Sequence, residues 1–415
     1  MGSLAMDGTA STLYSPYTLL SQYLTFANRD HYEWWRHKGP LLSKFLQDCN
    51  YNVHQQYQYL TLFHNHLIHE LGAYTEPTVG QQGNTLLSGA GKLELDRRFT
   101  ASGSSLRIAF EPTSYLAGDH GPDPLNVLPL PHVLSRLREL PGVDLGLDAY
   151  RTLVNRLTTS EADQRNLLQS QKLLEQLRSL LSRTQNILAL DLVDGSVQTE
   201  LYFQPQLKAL ATNSAVKTML LESCQAMDTN KALGPALGMA EEFLRTSQET
   251  TQPLFLSCDL RNNTPVSSEK LKLFFIESHI TWARAQALWT CGRSTEEHDA
   301  MLHPLRALWE SLAVVEGPRT ATEFPMMLIM KLCEEAPFVR PQIALPVVGM
   351  TEQAIGEAVV RFFTTMGWTK HAGTYMESLH SYYPGVSLEQ PLGKQAWVAV
   401  SEFDAEGPAL TVFYY

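Results

Sequence analysis

The stretch Asn186-Ile-Leu-Ala-Leu-Asp-Leu-Val-Asp-Gly-Ser-Val-Gln-Thr-Glu-Leu-Tyr-Phe203 decides the fold. Leu188-Ala-Leu-Asp-Leu192 has the alternation of a half-buried strand. Asp194-Gly195 follows, a pair that accepts the positive φ angles of a two-residue hairpin turn. Val197 to Phe203 then returns as a second strand. The stretch therefore predicts one antiparallel hairpin.

The same strand–turn–strand pattern recurs at Lys92–Glu111, Leu254–Ile276, Met326–Val347 and Gln395–Tyr415. In the first of these, Leu93 and Leu95 alternate with Glu94 and Asp96. The turn Ala101-Ser-Gly-Ser-Ser105 leads into Leu106-Arg-Ile-Ala-Phe-Glu111. The third hairpin has a longer turn, Asn262-Asn-Thr-Pro265. The fourth carries Pro337 in its turn and Pro346 near a strand end, where a proline is tolerated better than in a central ladder. Helical periodicity fills the gaps. It is clear in Tyr32–Tyr74 (Leu41, Leu42, Phe45, Leu46, with Gly72 as a stop) and in Leu153–Thr184, which has a capping-box-like Ser160 and Asp163. A further helix lies between Thr351 and Gly367. Five hairpins can close into one barrel, and closure removes exposed edges. The predicted fold class is α+β: a ten-stranded antiparallel β-barrel of five hairpins surrounded by helices.

A chain of 415 residues is long enough for two or three domains. No Gly/Ser/Pro-rich linker separates the hairpins, so one domain is expected over residues 21–415, preceded by a flexible tail, residues 1–20. Within that tail, Met1–Ser11 has no basic or apolar region of the signal-peptide kind. A net charge of −11 without a basic block argues against nucleic acid as a partner. No apolar run reaches the length of a membrane span. The five cysteines (Cys49, Cys224, Cys258, Cys291, Cys333) are scattered and odd in number, which fits reduced thiols in the cytoplasm.

A barrel has an interior, and period-two geometry says which residues face it together. The polar or aromatic face of the second strands reads Arg107; Glu200 and Tyr202; Lys270, Lys272 and Phe274; Gln342 and Ala344; Thr411 and Phe413. First strands add Glu94, Trp397, Ala399 and Ser401. A purely structural lumen would hold Val, Ile and Leu; this one offers cations, carboxylates and rings. The opposite assignment, with these charges on a solvated outer face, fits the same alternation.

From about Tyr32 to Tyr415 the chain resembles the fungal aromatic (indole) prenyltransferases of the dimethylallyl tryptophan synthase type. The resemblance is carried in order by Trp34-Trp35…Gly39-Pro40-Leu41-Leu42, Phe110-Glu111-Pro112 with Asp123-Pro124-Leu125-Asn126, Leu201-Tyr202-Phe203…Pro205, Lys270-Leu-Lys272, and Leu410-Thr-Val-Phe-Tyr414. It implies the prenyltransferase αββα barrel. It also implies transfer of a prenyl group from an allylic diphosphate (dimethylallyl or geranyl) to an indole or phenolic secondary metabolite. Glu94 matches the glutamate that hydrogen-bonds the acceptor. Arg107, Lys270, Lys272 and Gln342 match diphosphate-binding positions; Tyr202, Phe274, Trp397 and Phe413 match the aromatic shield of the allyl cation. The sequence has no D-D-x-x-D carboxylate cluster, and Gly89-Ala-Gly91-Lys92 is not a phosphate loop. Metal-independent Friedel–Crafts alkylation without a cofactor is expected.

Some positions depart from the family. Glu200 stands where a lysine is usual, and Ala344 where a tyrosine is usual. Phe274 and Phe413 lack the family's tyrosine hydroxyl, Trp397 replaces a tyrosine, and no basic residue stands near Phe403. A carboxylate about 6 Å from one phosphate charge costs about 3 kcal/mol at an effective dielectric of 20. Ala344 implies a larger pocket. An alternative reading keeps the barrel but assigns it a diphosphate-independent cyclisation or rearrangement of a prenylated metabolite, with Glu94 and Glu200 as acid and base.

Other signals read as structural. His64, His66, His69 and Glu70 lack metal-site order and are expected to pack. Met326, Met327 and Met330 read as core or lumen filling, Cys258 as a small buried residue, and Asp191 and Asp259 as turn or ladder-end residues.

Overall fold

The computed structural model describes residues 15–75, 92–117, 121–179, 185–247, 249–262, 271–291, 299–320, 323–336, 338–404 and 407–415. Among them, ten strands form the barrel. They are β1 (Leu93–Phe99), β2 (Ser104–Phe110), β3 (Asn186–Val193), β4 (Ser196–Phe203), β5 (Thr251–Asp259), β6 (Leu271–Glu277), β7 (Met326–Leu332), β8 (Val339–Pro346), β9 (Gln395–Asp404) and β10 (Gly407–Tyr414). Each strand pairs antiparallel with its neighbours in sequence, and β1 pairs with β10 to close the ring. The five hairpin turns consequently lie at one end of the barrel and the helical connections start from the other.

Local chemistry accounts for the strand ends. Asp194 and Gly195 have φ of 46° and 81°, the doubly left-handed turn that fits strand twist. The third hairpin begins at Thr251, three residues before the alternation predicts, with Pro253 beside a bulge that separates it from Phe255. Proline is tolerated at such a position. In β8, the ladder to β9 begins only at Gln342, so Pro341 lies outside it. The turn residues 263–265 and Pro337 fall outside the described residues.

Two apolar layers sit on either side of the barrel wall. Leu93, Leu95, Leu106, Ile108, Leu188 and Leu190 face outward and are buried under the helices. Burial of this outer face stabilises each apolar side chain by about 1.5–3 kcal/mol. A separate, smaller cluster fills part of the lumen, with Phe255, Phe274, Ile329, Trp397 and Tyr415 at its centre. The charged face is therefore the inner one, and the solvated-face assignment is excluded.

Helices follow their caps. Leu153–Thr184 is divided: helices span Asp148–Leu157, Glu161–Gln169 and Gln171–Ser179, and Ser160 with Asp163 forms a capping box between the first two. The N-terminal expectation needs correction at its edge. Pro16–Ser21 is a helix capped by Ser15, and its Tyr17 stacks on Trp35 at 5.2 Å. The close approach requires Gly39, where an added Cβ would meet the Tyr17 ring at 2.5 Å. The outer face also carries polar residues, Arg97 and Glu277 among them. Arg97 binds Asp48 at 3.3 Å and the Tyr382 hydroxyl at 2.5 Å, tying β1 to two helices. Among the described residues no helix is long and apolar enough to cross a membrane.

Candidate active site

The lumen encloses a cavity of about 410 Å³. Ten of the residues expected there line it: Glu94, Arg107, Tyr202, Lys272, Phe274, Gln342, Trp397, Ser401, Thr411 and Phe413. Lys270 lies outside the described residues. The cavity is graded along its axis. Arg98, Ser105, Asp191, Gln198, Lys272, Lys331 and Arg340 line the end near the hairpin turns. Ile187, Leu254, Phe255, Ile276, Met327 and Trp397 line the deeper part.

Alternation explains the gradient. On β6, Lys272, Phe274 and Ile276 are successive inward positions; on β7 they are Lys331, Ile329 and Met327. One strand step of two residues is about 7 Å. A ligand with a charged head and an apolar tail matches that profile.

The polar end is an ion-pair network. Arg107 reaches Asp191 through two bonds, Nε to Oδ1 at 2.8 Å and a terminal nitrogen to Oδ2 at 2.7 Å. It also donates to the Tyr202 hydroxyl at 2.7 Å and pairs with Glu200 at 2.8 Å. Lys272 Nζ donates to both oxygens of Glu200, at 2.9 and 2.8 Å. The Ser257 hydroxyl adds a bond to Glu200 at 2.5 Å. Burial alone would raise the Glu200 carboxyl, but Lys272 and Arg107 override it and hold it at about 2. Glu200 is thus ionised, and protonation does not relieve its charge. Burial likewise opposes the Arg107 charge, and Asp191, Tyr202 and Glu200 more than offset that. Asp191 is an inward partner of Arg107, not a ladder-end residue as its place in the hairpin suggested. Asp259 pairs with Arg261 at the end of β5, as expected.

A second carboxyl group accompanies Glu94. Asp96 is the next inward residue on β1, and the two are 6% and 5% exposed. Burial raises both, Asp96 far more, because the Glu94 charge beside it adds to the desolvation. The pair therefore holds a proton on Asp96 in preference to two charges. The buried Tyr415 hydroxyl approaches Glu94 without closing a regular hydrogen bond.

Rings line the deeper cavity. Tyr202 and Phe274 lie 5.3 Å apart, Phe255 and Phe274 6.0 Å, and Phe324 and Trp397 4.9 Å. The Trp397 indole donates to Pro325 O at 3.1 Å, which fixes the ring. Ala344 is not among the residues that line the cavity. It has no exposed surface and belongs to the packed cluster that includes Trp397, Met327 and Phe324.

Several lining residues were not singled out from the sequence: Asp96, Arg98, Phe255, Ile329, Lys331, Arg340 and Tyr415. One further step of two along strands already identified finds Asp96 from Glu94, Arg340 from Gln342 and Tyr415 from Phe413, and a second step finds Arg98. Outside the barrel, Glu70 pairs with His132 at 3.0 Å and Arg136 at 3.1 Å. Among the described residues no group of three His, Cys, Asp or Glu side chains is arranged to hold a metal.

Comparisons with known proteins converge. The sequence pattern of the family described as tryptophan dimethylallyltransferase matches residues 30–378. The chain is 54% identical over 403 residues to the prenyltransferase phqA of Penicillium fellutanum, covering 97% of this chain and 99% of that one. It is 38% identical over 374 residues to the prenyltransferase malB of Malbranchea aurantiaca, covering 89% of this chain and 99% of that one. Among solved structures, NotF (from an Aspergillus species) in complex with brevianamide F and DMSPP superposes with a TM-score of 0.81 at 28% identity. That match covers 97% of this chain and 98% of the other.

Proposed function

The chain belongs to the tryptophan dimethylallyltransferase family, and from that premise we propose how its barrel carries out prenyl transfer. The protein is an aromatic prenyltransferase: it moves a prenyl group from an allylic diphosphate to an indole-type aromatic acceptor. The observation that supports this most is the graded lumen. It has cations at one end, rings at the other and a buried carboxyl pair on the wall between them.

The reaction proceeds by three movements of electrons. The C–O bond of the allylic diphosphate breaks, and its electron pair leaves with the diphosphate. An electron-rich aromatic carbon then attacks the allyl cation. Transfer of the proton from that carbon to the released diphosphate or to water restores aromaticity.

The first two movements have residues suited to them. Lys272, Arg107 and Gln342 stabilise the leaving diphosphate, with Lys270 as a further cation. Tyr202, Phe274, Phe413 and Trp397 face the cation with rings, which attracts positive charge and excludes water. Burial keeps the Tyr202 hydroxyl neutral, so it does not compete as a nucleophile. Glu94 accepts the acceptor's N–H hydrogen bond and enriches the ring's electrons as the cation approaches. Asp96, holding a proton beside it, keeps the single negative charge on Glu94. Glu200, clamped by two cations, is a structural counter-ion, and this disfavours the alternative in which it exchanges protons with a substrate.

We assign the protein to the cytoplasm, supported by five cysteines that form no disulfide with one another. The experiment that tests the function is product analysis by mass spectrometry. Dimethylallyl diphosphate is supplied with tryptophan and with tryptophan-containing acceptors. A product heavier by one prenyl unit is expected; hydrolysis alone, or no consumption of the diphosphate with any acceptor, contradicts the proposal.

A further inference from the structure

We propose that Asp96 is a specificity-determining residue for the acceptor: its free carboxyl oxygen accepts a second N–H, from an amide on the acceptor's side chain, next to the ring N–H that Glu94 accepts. The Tyr415 hydroxyl donates to the carbonyl of the same amide. The inference rests on the prenyl-transfer reading and names the chemistry that the acceptor's side chain carries.

Unmet hydrogen bonds supply the first argument. Asp96 and Tyr415 are 5% and 2% exposed, and both line the lumen. Asp96 Oδ1 and the Tyr415 hydroxyl are buried without a hydrogen-bond partner. A buried polar atom left in that state is costly, and each instance in a native protein calls for a reason. A ligand in the lumen that offers one donor and one acceptor meets both.

Placement supplies the second. Asp96 follows Glu94 by one strand step of two residues on the inner face of β1, about 7 Å. It lies opposite Phe413 of β10. Tyr415 follows Phe413 by one such step, and its hydroxyl lies beside Glu94. The two unmet groups therefore flank the carboxylate that receives the ring N–H. An indole held at Glu94 carries its side chain within one strand step of both.

Donor and acceptor chemistry supplies the third. Arg107 is directly opposite Asp96 across β1 and β2, yet it gives its hydrogen bonds to Asp191, Tyr202 and Glu200. Asp96 thus has no bonded cation, and beside Glu94 it keeps its proton. That proton is donated to Glu94. Oδ1 is then the carbonyl oxygen of a neutral acid and can only accept. The Tyr415 hydroxyl stays protonated, because burial and Glu94 hold it well above its ordinary range, so it can donate. An acceptor oxygen and a donor hydroxyl together complement the N–H and C=O of one amide. An ammonium would leave the Tyr415 hydroxyl unmet.

Three acceptors test the assignment, each with dimethylallyl diphosphate and the full-length protein. N-Acetyltryptamine carries the amide, tryptamine an ammonium, and 3-methylindole neither. The wild type is expected to favour N-acetyltryptamine over the other two in kcat/KM by about tenfold. Asp96→Ala should abolish that ratio. Asp96→Asn, which keeps a carbonyl oxygen at the same place, should retain it. Tyr415→Phe should reduce it about threefold. The ratio is the readout because a change at Glu94 acts on all three acceptors alike. Thermal unfolding of the same samples checks that each variant folds, and Tyr415→Phe supplies the test if Asp96→Ala does not. A ratio left unchanged by both variants, or a wild type that treats the three alike or favours tryptamine, would overturn the assignment and leave the prenyl-transfer reading standing. Failure of the wild type to consume dimethylallyl diphosphate with any acceptor would overturn both.

Discussion

Lys272 Nζ lies 2.9 Å from Glu200 Oε1 and 2.8 Å from Oε2, so a position that usually carries a cation is here the counter-ion of one. The repulsion of about 3 kcal/mol expected between a lone Glu200 and a phosphate charge is therefore not the relevant quantity. Glu200 and its two cations form an ion-pair unit, and an incoming diphosphate competes with Glu200 for Arg107 and Lys272.

This unit predicts a pH dependence of stability. Glu200 is held at about 2 against an ordinary 4.5, a difference worth about 3 kcal/mol. The folded value is depressed, so the stabilisation is fully present above the ordinary carboxylate range and is lost as pH falls from there toward 2. Urea midpoints measured across that window are expected to fall for the wild type. Glu200→Gln should flatten this part of the profile and lower stability near neutral pH by about 3 kcal/mol, because Lys272 loses its carboxylate partner and Arg107 keeps only Asp191.

The carboxyl pair works with the opposite sign. Asp96 and Glu94 are raised in the folded protein by burial, and Asp96 further by the Glu94 charge beside it, while the hydrogen bond from Asp96 holds Glu94 lower. The folded state binds more protons than the unfolded state above the ordinary carboxylate range, so stability falls as pH rises through that interval. Asp96→Asn is expected to remove much of this decline and to raise neutral-pH stability by about 1 kcal/mol.

Tyr202 separates two effects on one side chain. Its hydroxyl accepts a bond from Arg107 at 2.7 Å, while its ring packs beside Phe274. Tyr202→Phe keeps the ring and is expected to reduce kcat/KM for the diphosphate about tenfold. Tyr202→Ala opens the lumen to water, and the fraction of prenyl alcohol among products should rise. Chromatographic separation of prenyl alcohol from prenylated acceptor measures that ratio.

Arg97 predicts a change in stability alone. It faces away from the lumen and holds Asp48 and Tyr382. Arg97→Met is expected to cost about 3 kcal/mol in denaturant unfolding, as removal of one partner of a buried pair does. The kcat of the folded enzyme should be unchanged, which a rate measured well below the melting temperature will test.

The barrel was legible because its signals are local. Asp194-Gly195 specifies a turn, and the alternation of Leu93, Leu95, Leu106 and Ile108 specifies the outer face. The lumen positions followed from the same period, but their partners did not. Whether Glu200 faces a phosphate or Lys272 depends on pairing across β4, β5 and β6, which no single strand encodes. Asp191 was similarly read by its place near a turn, when its role is set by Arg107 on the neighbouring strand. Ala344 suggested a larger pocket, but Trp397, on the neighbouring strand and beyond two intervening helices in sequence, belongs to the same packed cluster.

The most direct test of the account is steady-state prenyl transfer by wild type and Glu94→Gln, with dimethylallyl diphosphate, a tryptophan-containing acceptor and mass analysis of products. The account predicts a singly prenylated product and an equal amount of released diphosphate from the wild type. The variant should lose at least about a hundredfold in kcat while still binding inorganic diphosphate. A Glu94→Gln enzyme that prenylates at the wild-type rate would contradict it.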